Sequence, residues 1–574
     1  MMIKNLLLIH ITAVLLVIIN PISMLAGNMF AADSTGKVGS FFILDVNNFK
    51  LPINNIGMTA VTNNNNYYGE LAGERVLFSG GFSLTGKMNN EIWLSNVLYA
   101  SLVRDYLPGI ANDITDLSKE LYVVRKSDPP FGKSWQDWKD AVKSGALFYD
   151  GDFDGVYNPV DKNLNGIWDT NEDMPYLLGD ITVWSVYNDS EQNRRIQNTY
   201  PMGIEIQQTA FASSESHLQN TIFIMYSIIN RGLISDSLNN VYFSIWADPD
   251  IGHHEDDLVA SDTTIASSYT FNGGIDSEIG DDPPALFFTF LQGPKVIDTT
   301  MGGFQFQAIN NFGFYYGVYV YEGYRNLKPS SFQNNIPFQQ PLWWDETKST
   351  LYNRILGLRP EGIPVDPCNF DQGFVIPYSL CDKVNPLFLF SGDPVNNYGW
   401  INTVQRDQRI LFNIGPFNLF INEPQHIIIA YTGGKGVNAL NSVTVGKELV
   451  QGVIQEYKNN FPSLTYKSGE PYFQVTEYRL YQNFPNPFNP STVISWQAPA
   501  GSWQTLKVYD VLGREVATLV DEFREAGYHE VEFQSAVGNR QLASGVYFYQ
   551  LRARGPETSS GQRIVETKKM ILLR

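Results

Sequence analysis

Cysteine is nearly absent from this chain of 574 residues, which holds only Cys368 and Cys381. A zinc site needs more ligands than two thiolates, and no histidine stands near either cysteine, so the sequence excludes a zinc site there. In an exported chain, two cysteines with twelve residues between them most simply form one disulfide that closes a short loop. Two unpaired thiols are the alternative.

Basic charge is also scarce. The chain carries 40 Lys and Arg residues against 59 Asp and Glu residues, which gives a net charge of −19. Nucleic acids and anionic membranes are bound by basic surfaces, so the sequence argues against both as partners. Charged residues total 17% while aromatic residues reach 14%, a composition typical of extracellular β-rich proteins.

The common catalytic motifs are missing as well. The chain contains no HExxH, GxSxG, P-loop or Rossmann glycine pattern. Paired carboxylates of a glycoside hydrolase leave no reliable sequence pattern, and Glu205 and Asp345 are candidates that nothing singles out. The sequence therefore leaves enzymatic activity undecided and favours a protein that is not an enzyme. Four histidines lie between the two terminal regions, none in a recognisable catalytic context: His217, His253, His254 and His426.

What the chain does contain is an acidic stretch, DGDFDGVYNPVDKNLNGIWDTNE, from Asp150 to Glu172. A calcium loop of twelve residues takes oxygen ligands at positions 1, 3, 5, 7, 9 and 12, with glycine at position 6. The second half of the stretch meets this pattern at every readable position, with Gly166 at position 6. The predicted calcium ligands are Asp161, Asn163, Asn165, the carbonyl of Ile167, Asp169 and Glu172.

The first half of the stretch is a weaker match to the same pattern. Gly155 stands at position 6, and Asp161 would have to close this loop while also opening the next one. Aspartate at position 12 is a poorer bidentate ligand than glutamate. An acidic surface turn without metal is the alternative for both loops. The further ligands predicted here are Asp150, Asp152, Asp154 and Asn158.

The flanks of the acidic stretch predict a loop with one helix. Ser134–Leu147 has helical spacing of its apolar residues, and Ser134 and Asp137 form a capping-box pattern at its start. Pro175 blocks a full helix on the exit side. The arrangement resembles the calcium loops of dockerins and thrombospondin-type repeats more than a paired EF-hand sensor. Such loops brace extracellular structure.

A second acidic stretch, Asp248–Asp262, has the sequence DPDIGHHEDDLVASD. It comes directly after a predicted strand. Its spacing fits no standard calcium template, and a solvated acidic loop is an equal alternative. The residues considered as calcium ligands are Asp248, Asp250, Asp256, Asp257 and Asp262.

The chain begins with features of a secretory signal. Lys4 supplies a positive start, and an apolar run from Leu6 to Ile19 follows that is too short to span a bilayer comfortably. Residues 1–32 are therefore predicted to be a signal peptide, with a membrane anchor as the alternative. No other segment is apolar enough to predict a transmembrane span in the mature body.

The body is predicted to be mainly β, because short apolar runs alternate with Gly-, Asn- and Pro-rich turns. A region at 33–180 combines strands with the helix and the calcium loops. A central β-sandwich region at 181–462 ends in a helix at Leu440–Phe461, and 463–478 forms a linker. Phe312–Tyr324 is predicted to be an aromatic strand whose rings lie in the core. The alternative is that these rings are exposed and stack on sugars.

The last hundred residues carry four ordered segments: YQNFPNPFNPST, LKVYDVLGREVATLV, LASGVYFYQLRA and the ending KKMILLR. They resemble the type A C-terminal sorting domain of the type IX secretion system of Bacteroidetes and related bacteria. Their own apolar alternation predicts an immunoglobulin-like sandwich of about seven antiparallel strands at 479–574. The predicted fold class is thus a multi-domain β-sandwich body with a few helices and a C-terminal immunoglobulin-like sandwich.

The resemblance implies that the tail is an address. Its partners would be the outer-membrane translocon and a surface sortase, and the protein would reach the outer cell surface or the medium through the periplasm. The run from Trp135 to Tyr187 is similar to uncharacterised secreted proteins that carry this tail, and it implies no activity. The favoured function is a calcium-stabilised structural or adhesive surface protein with a possible glycan or protein ligand. A secreted hydrolase of glycans or proteins is the alternative.

Overall fold

The computed structural model of the chain is mainly β, which confirms the predicted fold class. The predicted signal peptide, Asp345 and most of the linker and of Phe312–Tyr324 lie outside the described residues. The structure describes residues 40–61, 68–111, 121–193, 195–196, 198–297, 309–311, 314–316, 324–335, 347–459, 461–464, 478–483, 486–498, 502–524, 527–537, 540–554 and 563–573.

The first strands of the body precede and flank the acidic stretch. Their bounds are β1 Phe41–Leu44, β2 Phe49–Asn54, β3 Gly69–Leu71, β4 Glu74–Leu77, β5 Ser79–Met88, β6 Glu91–Leu98, β7 Val103–Arg104, β8 Leu107–Pro108, β9 Tyr122–Arg125, β10 Phe148–Tyr149 and β11 Met174–Pro175. One helix, α1, spans Lys133–Lys143 between β9 and β10.

The longer strands of the body follow. Their bounds are β12 Ile181–Asn188, β13 Ile204–Ala212, β14 Thr221–Asn230, β15 Ser237–Asp248, β16 Asp257–Asp262, β17 Ser267–Asn272, β18 Ala285–Gln292, β19 Lys295–Ile297, β20 Ile309–Asn311, β21 Phe314–Tyr316, β22 Tyr324–Asn326, β23 Pro329–Asn335, β24 Gly373–Ile376, β25 Gly399–Asn402, β26 Arg409–Phe420 and β27 Gln425–Gly434. Two more helices are α2 at Lys348–Ile355 and α3 at Ala439–Lys458.

Two antiparallel sheets form the main sandwich. One has the order β16-β17-β18-β27-β14-β13-β12-β8, with β9 also pairing β12, and the other has the order β23-β26-β15-β5-β6-β7. Phe82 of β5 lies between them and is fully buried. Its ring is 5.5 Å from Tyr226 of β14 and 5.7 Å from Phe243 of β15, so the two sheets share one core.

The nine-stranded sheet is buried on both faces. In β14 the side chains of Ile224 and Tyr226 belong to the inter-sheet core, while Phe223 and Met225 face a second core with α1 and α3. A strand buried on both faces shows a continuous apolar run instead of alternation. This explains the sequence TIFIMYSIIN of β14.

The predicted boundary at residue 180 does not separate two sheets. Strands β5, β6 and β7 from the first region join β15, β26 and β23, while β8 and β9 pair with β12. Antiparallel pairing over such separations depends on which apolar faces meet, and this cannot be read from local composition.

The helices differ in detail from their predicted bounds. Helix α1 begins at Lys133, and its N-cap is Gly132 without a side-chain cap bond, so the predicted capping box at Ser134 is wrong. Asp137 instead forms an ion pair with Lys133. Helix α3 presents Val450 and Val453 to the core through a face that includes Gly446, which packs on Phe287.

The tail folds as a small antiparallel sandwich, as predicted. Two sheets, β28-β29-β32 and β31-β30-β35-β36, enclose one apolar core that includes Trp496 and Tyr549. The strands are β28 Arg479–Leu480, β29 Ser491–Ala498, β30 Ser502–Asp510, β31 Glu515–Arg524, β32 Gly527–Gln534, β33 Ala536–Val537, β34 Arg540–Gln541, β35 Gly545–Arg554 and β36 Arg563–Leu572.

Two further features bear on the predictions for the body. The Sγ atoms of Cys368 and Cys381 lie 2.08 Å apart as a disulfide. Within the described residues, every helix is too short or too polar to cross a bilayer.

A buried ionic network joins the first region of the body to the sandwich. Arg195 lies 3.2 Å from Asp105 and 3.6 Å from Asp189, and all three side chains are almost completely buried. Asp189 also accepts hydrogen bonds from the amides of Met202, Gly203 and Ile204. Burial raises the pKa of Asp105 to about 7.

The raised pKa predicts a pH dependence of stability. Between about pH 4 and pH 7 the folded chain binds a proton at Asp105 that the unfolded chain releases, so the free energy of unfolding falls as pH rises through this range. We expect Asp105→Asn to flatten the slope by up to about 1.4 kcal/mol per pH unit, measured by denaturant unfolding. The exposed control Asp281→Asn should leave the slope unchanged, and equal slopes in all three proteins would contradict the assignment.

Candidate metal site

The acidic stretch forms a double loop, which we define as residues 150–173. Its two ends are held together by β10 and β11, which pair Phe148 with Pro175 and Tyr149 with Met174. The chain then continues into β12 without a second helix. The predicted one-helix arrangement therefore matches the course of the backbone.

The two halves of the double loop repeat the same hydrogen bonds eleven residues apart. In the first half, Asp150 accepts from the amides of Asp154 at 3.2 Å and Gly155 at 2.9 Å. In the second half, Asp161 accepts from the amides of Asn165 at 3.1 Å and Gly166 at 2.7 Å.

Within each half, further side chains accept from the backbone two residues ahead. The acceptors are Asp152, Asp154, Asn163 and Asn165. The repeat shows that the sequence pattern corresponds to a repeated backbone geometry.

A buried carboxylate closes each half. Glu172 accepts from the amides at positions 2 and 9 of the second half, Lys162 at 2.6 Å and Asp169 at 2.9 Å. Asp173 accepts from the equivalent amides of the first half, Gly151 at 3.1 Å and Asn158 at 2.6 Å.

The closing residue predicted for the first half needs correction. The carboxylate of Asp161 bonds within the second half, and Asp173 takes the closing position of the first half. The acidic residue directly after Glu172 was the available sequence signal. It was missed because it stands outside the twelve-residue frame of the first half.

Glycine is required at two kinds of position in the double loop. Gly155 and Gly166 have φ of 76° and 74°, a backbone conformation that side chains with a Cβ atom rarely adopt. Gly151 has a different role, because a Cβ atom there would lie 2.3 Å from the carbonyl oxygen of Glu172. The first half therefore packs directly on the backbone that closes the second half.

Aromatic side chains attach the double loop to the body. Tyr157 and Trp168, at the same position of the two halves, are buried in the core that includes Trp135 and Trp138 of α1. The Tyr157 hydroxyl donates to the Trp135 carbonyl at 3.0 Å, and the Trp168 indole donates to the Glu172 carbonyl at 2.9 Å. The first bond joins the loop to the helix, and the second holds the Trp168 ring against the backbone of the loop.

The double loop carries an excess of negative charge. Residues 150–173 contain seven acidic residues and one lysine, and seven minus one leaves a net charge of −6. The Lys162 ammonium lies 2.7 Å from Asp152 and lowers the pKa of that carboxyl. Burial raises the pKa of Asp173, so one closing carboxylate is held in an unfavourable environment for its charge.

The donor set fits a hard cation such as calcium. One oxygen each from Asp150, Asp152 and Asp154 lies within 4.8 Å of the other two. The second half supplies Asp161 together with the amide oxygens of Asn163 and Asn165. An oxygen that accepts one amide proton keeps a second lone pair, so these bonds leave room for coordination by calcium.

The second acidic stretch does not converge as one site. Asp256 accepts from the Asn272 amide nitrogen at 2.5 Å, while buried Asp257 accepts from the Ile251 amide at 3.1 Å. Asp262 is paired with Lys447 at 3.1 Å. The five-residue calcium loop predicted from Asp248, Asp250, Asp256, Asp257 and Asp262 is therefore wrong, because the chain turns and sends these side chains to different neighbours.

Asp248 and Asp250 nevertheless meet a third carboxylate. One oxygen of each lies within 4.8 Å of the other and of an oxygen of Asp407. Asp407 was not among the predicted ligands, because it lies 159 residues from Asp248 in the sequence. The local signal was its position two residues before the strand β26.

The Ser–His contacts do not have the geometry of a catalytic triad. Ser463 and Glu456 both approach the same nitrogen of His217, Nε2, at 3.4 Å. In a triad the acid binds Nδ1 and the nucleophile binds Nε2. His426 contacts Ser227 through Nδ1 at 2.8 Å, and burial lowers its pKa to about 4.

Glu205 is engaged in the fold. Its carboxylate lies 2.5 Å from Arg231 and accepts from the Ala111 amide at 2.9 Å. The side chain is buried, and these two partners account for it as an internal ion pair.

Comparison with known proteins identifies the tail. The fold is that of a multi-sheet β-sandwich body followed by a small antiparallel sandwich at the C-terminus. Residues 482–566 match the family described as Secretion system C-terminal sorting domain. This match indicates handling by the type IX secretion machinery and export to the cell surface or the extracellular space. No curated protein matches the chain significantly.

Two solved structures show only distant similarity. A polysaccharide lyase is 8% identical with a TM-score of 0.18, and the match covers 70% of this chain and 40% of the lyase. The dimeric latent PorU from Porphyromonas gingivalis is 13% identical with a TM-score of 0.15, over 69% of this chain and 32% of PorU. The chain thus spans less than half the length of either, and neither similarity carries an argument about the body.

The closing role of Asp173 gives a testable prediction. In Asp173→Ala the buried amide of Gly151 and the partly buried amide of Asn158 lose their acceptor, so we expect unfolding to cost about 1–3 kcal/mol less. Denaturant unfolding in the presence of a chelator measures this change without bound calcium. Amide hydrogen exchange at Gly151 and Asn158 should also accelerate.

The matched control is Asp137→Ala on the exposed side of α1. It should leave exchange in the double loop unchanged. Unaltered exchange at Gly151 and Asn158 in Asp173→Ala would refute the closing role.

Proposed function

We propose that the protein is a calcium-stabilised β protein of the cell surface with a structural or adhesive role. The observation that carries this proposal is the repeated loop geometry of residues 150–173, in which two rings of oxygen acceptors are each closed by a buried carboxylate. Calcium is the cation that such flexible oxygen cages favour.

The calcium ions would act as a brace. The double loop rests on α1 and is closed by β10 and β11 directly before β12, a strand of the main sandwich. A cation that neutralises the loop carboxylates stabilises this joint only in the folded chain. A sensor would need a second helix that moves, and the chain enters a strand at that point.

Exposed apolar side chains support the adhesive part of the proposal. Phe153 and Leu164, at the same position of the two halves, are 87% and 88% exposed. Val156 and Ile167, also at equivalent positions, are 61% and 59% exposed. Exposed apolar side chains repeated in both halves of an acidic segment would suit an interaction surface. The ligand would be a surface glycan or a protein.

The tail would deliver this body to the surface in two steps. After signal-peptide export to the periplasm, the outer-membrane translocon would recognise the tail, and a surface sortase would remove it. The hydrolase alternative has less support, because Glu205 is used in an ion pair and the His217 contacts are not those of a triad.

Calcium binding predicts a calcium-dependent melting temperature. At free calcium 100-fold above its dissociation constant, binding adds about 2.7 kcal/mol to the stability of the folded chain. We expect Glu172→Ala to shrink the difference between the melting temperatures in calcium and in chelator, because the bidentate ligand is lost. The difference is taken within each protein. It therefore does not include the stability that the substitution removes in the absence of calcium.

Asp137→Ala serves again as the matched acidic control and should keep the full calcium effect. The calcium proposal for the second half of the loop fails if Glu172→Ala retains the wild-type difference.

Removal of the tail predicts a defect in localisation. A chain lacking Tyr481–Arg574 should accumulate in the periplasm, because the segment read by the secretion machinery is gone. Cell fractionation and surface protease accessibility measure this outcome. Normal surface display of the truncated chain would rule out the sorting role.

A further inference from the structure

A second group of carboxylates lies at one end of the six-stranded sheet. Strand β15 ends at Asp248, and Asp250 follows two residues later. Asp407 lies two residues before β26, which begins at Arg409 and runs antiparallel to β15. Antiparallel pairing places the last residues of one strand beside the first residues of the other, which brings the three carboxylates together.

Arg409 holds two of these carboxylates by one oxygen each. Its Nε lies 3.1 Å from Oδ2 of Asp248, and its Nη2 lies 3.3 Å from Oδ2 of Asp407. The other oxygen of each carboxylate, Oδ1, is buried, and the described part of the chain offers it no hydrogen-bond donor. Asp248 as a whole is only 4% exposed.

A buried carboxylate oxygen without a donor is destabilising, because it has lost its hydrogen bonds to water. A missing ligand with positive charge would account for both oxygens.

The net charge of the cluster also favours a bound cation. Three carboxylates and one guanidinium leave a charge of −2. Arg75, the other basic group that acts on Asp250, is itself paired with Glu278 at 3.0 Å and donates to the Gly252 carbonyl.

We propose that Asp248, Asp250 and Asp407 form a divalent cation site of the calcium type. The ligands are the Oδ1 atoms of Asp248 and Asp407 and the carboxylate of Asp250, while Arg409 positions the first two. A dication brings the cluster to neutrality, and a set of oxygen ligands alone suits a hard cation. The site is independent of the double loop and would hold the ends of β15 and β26 together.

The test uses the full chain and calcium as the probe. The number of bound calcium ions is measured by equilibrium dialysis, and the melting temperature is measured in calcium and in chelator. Asp250→Asn should remove one bound ion or weaken its affinity at least tenfold. In chelator the same variant should melt above the wild type, because one of three repelling buried charges is gone.

Asp262→Asn is the matched control, since Asp262 lies in the same acidic stretch and is paired with Lys447. It should leave the bound calcium unchanged. If Asp250→Asn does not fold, Asp407→Asn tests the same ion. Glu172→Ala separates the two proposals, because it should lower the calcium bound by the double loop while the ion that depends on Asp250 remains.

The proposal is overturned if Asp250→Asn binds as much calcium as the wild type with the same affinity. It is also overturned if the variant melts higher in chelator while calcium binding is unchanged, because the cluster would then be held by a shared proton instead of a cation.

Discussion

Burial of the nine-stranded sheet on both faces is the constraint on which the rest of the body depends. One face packs on the six-stranded sheet around Phe82, and the other face is covered by α1, α3 and the double loop. Each of these covering elements has to present an apolar surface to the sheet. Tyr157 and Trp168 do this for the double loop, so two aromatic side chains anchor an acidic segment on the core.

Fixing acidic segments against a core concentrates negative charge where water cannot fully screen it. Part of this negative charge is neutralised by arginine side chains. Arg195 neutralises part of the buried pair Asp105 and Asp189, and Arg231 neutralises Glu205. The double loop and the cluster around Asp248 have too few basic neighbours for this. We propose that bound calcium supplies the neutralising charge at both places.

Predictions that depend on local interactions were confirmed for the mainly β fold and for the sorting tail. The oxygen acceptors at Asp150, Asp152 and Asp154 converge because they are two residues apart in a tight turn. The sandwich of the tail follows from its own apolar alternation and its match to a sorting family. The predicted cap of α1 at Ser134 was wrong, because the helix begins at Lys133 and Asp137 pairs with that lysine.

The sequence by itself determined the β class, the oxygen-rich loop and the sorting tail, because ligand spacing, turn chemistry and apolar period act over a few residues. Only the tertiary structure decided that strands on both sides of residue 180 share the same sheets. It also decided that Asp173 closes the first half of the loop and that Asp407 joins Asp248. Those outcomes depend on which distant strands pair and which faces are buried, and the chain encodes them only through the fold as a whole.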